Sequence, residues 1–254
     1  MGDIKRGRRK FMKNTVAGLS LLSLPSLTKA QSSQKIAKKK IVCVGGHPDD
    51  PETGCGGTLA KLAKAGHEVT IIYLTTGEAG IIGRSHNEAA ATRKQEAINA
   101  CRILNAKPIF AGQIDGDTVV NKDWIEKIKQ LIIAEKPDVV FTHWPIDYHK
   151  DHQATSLLVI QAWMRREENF LLYFFEVQSG LQTSVFHPTD YVDISDTREQ
   201  KWKAINCHIS QDPEGIYKTN HGAMEEFRGF ELGVKAAEAF VKMTGRLQGG
   251  MIIS

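Results

Sequence analysis

The stretch "GGHPDDPETGCGG", residues 45–57, constrains this chain more than any other. It follows the apolar run "IVCV", which reads as a buried strand ending at glycine. "EVTIIYLTTG" reads as a second strand, rich in β-branched residues, with "PIFAG" and "DVVFTHWP" as a third and fourth. Between them, "GGTLAKLAKAGH", "NEAAATRKQEAINACRILNA" and "NKDWIEKIKQLIIAEKP" carry apolar residues at helical spacing. Gly66 closes the first and Pro137 stops the last. "HQATSLLVIQAWMRR" is a further helix. Strands alternating with helices imply right-handed βαβ units and a parallel sheet covered on both faces. The expected fold class is α/β, a Rossmann-like three-layer sandwich with a mostly parallel sheet. Two later strands, "FLLYFFEV" and "DYVDIS", and two later helices, "DTREQKWKAINCH" and "MEEFRGFELGVKAAEAFVKM", extend it. With no linker-like interior segment, residues 39–254 read as a single domain.

Residues 1–30 read differently. They hold seven basic residues against Asp3 alone, so the chain's net charge of +4 belongs to this segment and the rest is slightly acidic. No basic stripe interleaved with aromatics remains, which argues against a nucleic-acid partner. The charged start, the modest apolar stretch "TVAGLSLLSLPSL" and the small residues at "LTKAQ" are the three regions of an export signal. Arg8-Arg9, Phe11 and Lys13 give it twin-arginine character, with cleavage expected after Ala30. The alternative is a basic disordered tail. The apolar stretch falls short of the roughly 20 residues a membrane span needs. Residues 31–38 read as a flexible basic linker, and the expected location is periplasmic or extracellular. Cys43, Cys55, Cys101 and Cys207 form no C-x-x-C pair and are expected as free thiols.

In open α/β sheets ligands bind at the carboxyl ends of strands. Two polar clusters are expected there: "HPDD" after the first strand and "HWPIDYHKDHQ", residues 143–153, after the fourth. Together they supply His47, Asp49, Asp50, Asp147, His149, Asp151 and His152. Imidazole and carboxylate suit a divalent transition metal, zinc above all, and a catalytic site uses three protein ligands. His47 and Asp50 can pair from one loop, with His149 or His152 as the third, leaving Asp49 free to take a proton from water. Gly54, Gly56 and Gly57 are expected to turn the backbone sharply into the next helix and leave space beside the metal. They make no dinucleotide fingerprint, since "GGHPDD" takes its place. Two other classes stay open: a nucleotide-binding Rossmann enzyme without metal, and a sugar-binding protein that has lost its chemistry.

These stretches resemble the PIG-L/LmbE family of zinc-dependent de-N-acetylases, which remove acetyl from N-acetylglucosamine-type sugars. "GGHPDDPETGCGGTLAKLAKAGHEVTIIYLTTGEAG", "RKQEAINACRILNA", "DYHKDHQAT" and "KWKAINCHISQ" match its blocks in order. One departure is Pro51, which stands between the paired aspartates and Glu52 and puts the role of that glutamate in doubt. The resemblance implies an LmbE-like domain that binds Zn2+, or Fe2+ on the same ligands, and acts on an N-acetylated amino sugar or glycan. It implies His47, Asp50 and His152 as metal ligands and Asp49 as general base. Protonated His149 would hold the oxyanion, and Asp151 would orient a neighbouring histidine. Arg93 and Asp115 would contact substrate. For Arg93 the alternative is a helix-surface ion pair with Glu96. His67, His143 and His208 are expected to be structural, while His86, His187 and His221 are candidates to line the pocket. A homo-oligomer is left open. If exported, the enzyme would act on envelope, scavenged or host-derived glycans.

Overall fold

Strand β1 (Lys40–Gly45) alternates its side chains between two cores. Ile41 and Cys43 enter one apolar cluster, Val42 and Val44 the other. A run that is apolar at every position is what a strand buried on both faces requires. The remaining strands are β2 (Glu68–Tyr73), β3 (Ala106–Phe110), β4 (Val139–His143), β5 (Leu171–Phe175), β6 (Asp190–Asp193) and β7 (Ala237–Lys242). They form one seven-stranded sheet in the order β3-β2-β1-β4-β5-β7-β6. The pairs from β3 to β5 are parallel, and β7 runs antiparallel to both β5 and β6. The structure, a computed structural model, describes residues 37–166, 169–179 and 181–245. The expected export signal and residues 31–36 of the expected linker lie outside them. No helix among the described residues is long and apolar enough to cross a membrane.

Helices α1 (Asp50–Lys64), α2 (His86–Leu104) and α5 (Arg198–Ile205) cover one face of the sheet; α3 (Lys122–Ala134) and α4 (Lys150–Met164) cover the other. This is the expected three-layer α/β sandwich. Short helix α6 (Pro213–Ile216), a wide helical turn over Tyr217–His221 and helix α7 (Gly222–Leu232) complete the C-terminal part. The chain lays β2 and β3 on one side of β1, then crosses to place β4 on the other. Helices therefore diverge at the β1–β4 boundary and leave a crevice at the carboxyl ends of those two strands. Cys43, Cys55 and Cys101 are buried and all four thiols are free.

Three sequence expectations need correction. Helix α1 starts at Asp50, well before the apolar periodicity signals it, because Pro51 is compatible with the first helical turn. Gly54, Gly56 and Gly57 consequently lie inside the helix rather than in a turn. Their purpose is close packing: a Cβ on Gly54 would stand 2.3 Å from the Phe175 ring, and one on Gly57 2.8 Å from Ile194. Lastly, "MEEFRGFELGVKAAEAFVKM" is not one helix. Gly233, at φ 79°, ends α7 in the left-handed conformation, and "AEAFVK" becomes β7. The helix propensity of its alanines yields to the pairing vacancy between β5 and β6.

A buried ionic network fixes α1 against this C-terminal part. Lys201 Nζ lies 2.8 Å from Glu225 Oε1 and 2.7 Å from Glu238 Oε1. Glu238 also accepts the Gly57 and Thr58 amides at 2.9 and 2.7 Å. Burial disfavours the ammonium, but the two carboxylates outweigh it and hold the Lys201 pKa above its ordinary value. Replacing Lys201 by Met removes the cation shared by two buried carboxylates, so Lys201→Met is expected to destabilise the fold by about 3–5 kcal/mol. Urea unfolding checks this; an unchanged midpoint would contradict it.

Candidate metal centre and substrate cavity

The end of β1 delivers His47 and the start of α1 delivers Asp50. The end of β4 leads through residues 144–149 to His152 in the first turn of α4. These side chains converge on the Asp50 carboxylate. Its Oδ2 accepts the His47 amide at 2.7 Å and lies 3.1 Å from His47 Nδ1. Its Oδ1 lies 3.1 Å from His152 Nε2. Burial opposes ionisation of Asp50, yet His152 and His143 hold its pKa well below the usual carboxylate range. Burial likewise disfavours the His152 imidazolium, but Asp50 and Asp147 push its pKa up to about 9. His47, Asp50 and His152 are buried and are spread over two overlapping groups of donors that could hold a divalent metal, His47–His149–His152 and Asp50–His143–His152.

The outer nitrogens of both imidazoles are engaged as well. His47 Nε2 lies 3.1 Å from Asp151 Oδ2 and 3.0 Å from Asp115 Oδ1. Asp151 is fully buried and held by Thr118 Oγ1 and the Gly116 amide at 2.6 and 2.8 Å. It therefore stands behind His47, as an orienting carboxylate should. His152 Nδ1 faces Asp147 Oδ1 at 3.3 Å, and Asp147 is fixed by the His149 amide and Thr183 Oγ1. Sequence reasoning placed Asp147 in the cluster without giving it a task. Its spacing, two residues before His149, carried no such signal. His143, expected to be structural, stacks on His152 at 4.0 Å, accepts the Gly46 amide through Nε2 and lies 3.4 Å from Asp50 Oδ2, within a group of possible metal donors.

Asp49 turns away from this cluster. Its backbone stands at φ 104°, a conformation non-glycine residues rarely adopt. Arg93 holds it there, donating to Asp49 Oδ2 at 2.8 Å, to Pro48 O at 2.6 Å and to Gly77 O at 3.2 Å. Arg93 is buried, and Glu96 instead accepts from Ser210, so the helix-surface pair is not formed. Burial raises the Asp49 pKa, with Arg93 opposing and Asp50 adding to the rise. His149, exposed beside the cavity, caps α4: its Nδ1 accepts the Asp151 amide at 3.2 Å. That bond uses Nδ1 as an acceptor. Partial desolvation and the neighbouring His47 and His152 also depress its pKa. In the neutral ring, therefore, Nε2 carries the proton and can donate toward the cavity.

His47, Asp49, Asp50, Arg93, Asp115, His149 and His152 all line one cavity of about 430 Å³. Asp115 is less free than expected, since the Ala79 amide and His47 occupy its oxygens. The C-terminal part adds a wall containing His208, Gln211 and His221. His208 was expected to be only structural. His86 is exposed on α2 and His187 lines a different cavity, so neither reaches this one.

The sequence profile of the PIG-L family, described as GlcNAc-PI de-N-acetylase, matches residues 42–163. Diacetylchitobiose deacetylase of Thermococcus kodakarensis is 32% identical over 195 residues, covering 71% of this chain and 73% of that protein. Among solved structures, N,N'-diacetylchitobiose deacetylase from Pyrococcus horikoshii matches with a TM-score of 0.74 at 26% identity, covering 86% of this chain and 88% of its own. The 4-carboxy-2-hydroxymuconate hydratase of Pseudomonas putida KT2440 shares the fold, with a TM-score of 0.74 at 21% identity over 84% of this chain and 99% of its own.

Because Asp147 faces the outer nitrogen of His152, Asp147→Asn is expected to weaken metal retention by roughly 10–100-fold. Competition with a chelator measures it; unaltered affinity would show that Asp147 serves the fold alone.

Proposed function

The chain belongs to the PIG-L family of de-N-acetylases, and from that membership we propose that it hydrolyses the N-acetyl group of an N-acetylglucosamine-type sugar or glycoconjugate, releasing acetate. The observation that carries this reading is the coincidence, in one cavity, of a buried His/Asp cluster able to hold a cation with the Arg93-held Asp49 carboxylate and the His149 imidazole. His47, Asp50 and His152 would hold the metal, which we take to be Zn2+, with Fe2+ acceptable to the same donors. When bound, a divalent metal supplies Lewis acidity that polarises the acetamide carbonyl and acidifies water.

The protein's own groups divide the remaining work. Asp49, made more basic by burial and by Asp50, accepts a proton from the attacking water. Arg93 fixes the carboxylate in the strained turn, so no reorientation is needed during reaction. His149 Nε2–H donates to the oxygen on which negative charge develops. Asp49 then returns its proton to the departing amine as the C–N bond breaks. Acetate and a free amino sugar leave. Asp151 and Asp147 keep the two imidazoles aligned throughout.

Fold alone does not select this chemistry, as the hydratase with the same architecture illustrates. A nucleotide-binding reading finds its loop already filled by His47–Asp50, whose carboxylates would repel a pyrophosphate. A sugar-binding protein without turnover would bind ligand and release no acetate. The basic, apolar and small-residue succession of residues 1–30 supports export, and with it an envelope, scavenged or host-derived glycan as substrate.

Purified protein is expected to carry one metal per chain and to release acetate from N-acetylated amino sugars in a chelator-sensitive manner. Asp49→Asn is expected to lower kcat about 10²–10⁴-fold, and His149→Ala about 10²–10³-fold. Acetate assays on the metal-loaded variants check both, and full turnover by either removes its assigned role.

A further inference from the structure

Two short segments beside the catalytic cavity hold a backbone strain that the proposed chemistry does not use. Residues 146–148 and 182–184 run side by side: the Tyr148 amide donates to Gln182 O at 3.1 Å, and the Ser184 amide to Ile146 O at 3.0 Å. Val185 follows at φ 54°, a left-handed conformation that is a genuine outlier for a β-branched residue. It is held there from both sides. Trp144 Nε1 donates to Ser184 O at 3.0 Å, and the Trp144 ring meets the Phe186 ring edge-on, with centroids 5.7 Å apart. Yet Val185 is 60% exposed, so the core gains little from it. Strain that the surroundings enforce and the core does not use points to a task outside the core.

The same two segments expose Ile146, Tyr148 and Leu181, at 48%, 77% and 65%. Tyr148, Val185 and Phe186 line a second cavity of about 270 Å³. It neighbours the catalytic one. His149, Gln178 and Gln182 line the first, while Tyr148, Ser179 and Thr183, each consecutive to one of them, line the second. Residues 177–186 hold no charged side chain. Arg228, which also lines the second cavity, is already bound to Glu176 at 2.7 and 2.8 Å and to Glu231 at 2.7 Å. An anion therefore finds no free guanidinium there.

We propose that this second cavity holds an uncharged, apolar aglycone, so that the enzyme prefers N-acetylglucosaminides with an alkyl or aryl group attached to the sugar. The proposal rests on the de-N-acetylase reading and narrows its substrate class. Exposed aliphatic side chains offer the hydroxyls of a second sugar no hydrogen bond, whereas a hydrocarbon removes their surface from water. Four such side chains are far fewer than the roughly 20–30 residues a side of a stable protein interface, which argues against a second copy as the occupant.

The test compares the methyl and hexyl β-glycosides of N-acetylglucosamine on the full chain. The hexyl glycoside is expected to have a kcat/KM roughly ten- to a hundredfold higher, as burial of two or three methylenes gives. Tyr148→Ser and Val185→Asn should each cut that preference about three- to tenfold, through KM, with a much smaller loss on the methyl glycoside. Asparagine tolerates the left-handed conformation, so the urea midpoint of Val185→Asn should not fall. Tyr148→Phe should keep the preference. Equal kcat/KM for the two glycosides, an undiminished preference in either variant, or a loss in Tyr148→Phe equal to that in Tyr148→Ser overturns the proposal. So does a preference that changes only in step with oligomeric state, read by light scattering, since the patch then joins copies of the chain. If the unaltered protein releases acetate from neither glycoside, the de-N-acetylase reading fails by itself. Calorimetry on the two glycosides then decides about the second cavity: tighter binding of the hexyl glycoside, weakened in both variants, supports it. Equal binding, or none, overturns it.

Discussion

The Asp50 carboxylate sits between two imidazoles that reach it from different strands, and the rest of the structure is arranged to make that meeting hold. His47 comes from the end of β1, His152 from the helix that follows β4. They meet because β4 pairs with β1 after the chain has laid β2 and β3 on the other side. A buried carboxylate flanked by two imidazoles is stable only if charge is balanced there. Asp151 and Asp147 extend the alternation outward, so each imidazole lies between acids. The cluster thus favours positive charge at its centre, which a divalent cation supplies more compactly than protons do.

The same few residues set up reactivity through strain. Asp49 is forced to φ 104° because its neighbour Asp50 must begin α1 while its own carboxylate stays in the cavity. Such strain persists only where surroundings over-determine it. Arg93 does so by binding both the carboxylate and the preceding carbonyl. Behind α1, Gly54 and Gly57 bring the helix close to Phe175 and Ile194, and Glu238 grips the amides of Gly57 and Thr58. The antiparallel addition β7 therefore reaches the metal centre indirectly, through the helix whose first turn carries Asp50.

Much of this was legible in the sequence. Apolar runs alternating with helical periodicity gave the sheet and its layers, and polar clusters at two strand ends gave the metal-ligating candidates. What stayed hidden has physical reasons. The start of α1 was masked because its first turns are polar and glycine-rich, without an apolar stripe. The strand β7 was masked by alanines, whose helix preference gives way to strand pairing. Asp147 could not be told from Asp151 by spacing, since their partners are separated by the loop geometry after β4. The tautomer of His149 follows from a backbone amide that spacing cannot reveal. His208 looked structural because burial and Glu52 make it so, yet it also stands in the cavity wall.

Crystals of the purified protein measured on both sides of the absorption edge of its metal would test the centre most directly. A single anomalous peak bounded by His47, Asp50 and His152, and lost in crystals of Asp50→Ala, is the predicted result. A peak held by other residues, or one that persists without Asp50, would contradict the assignment from which the chemistry follows.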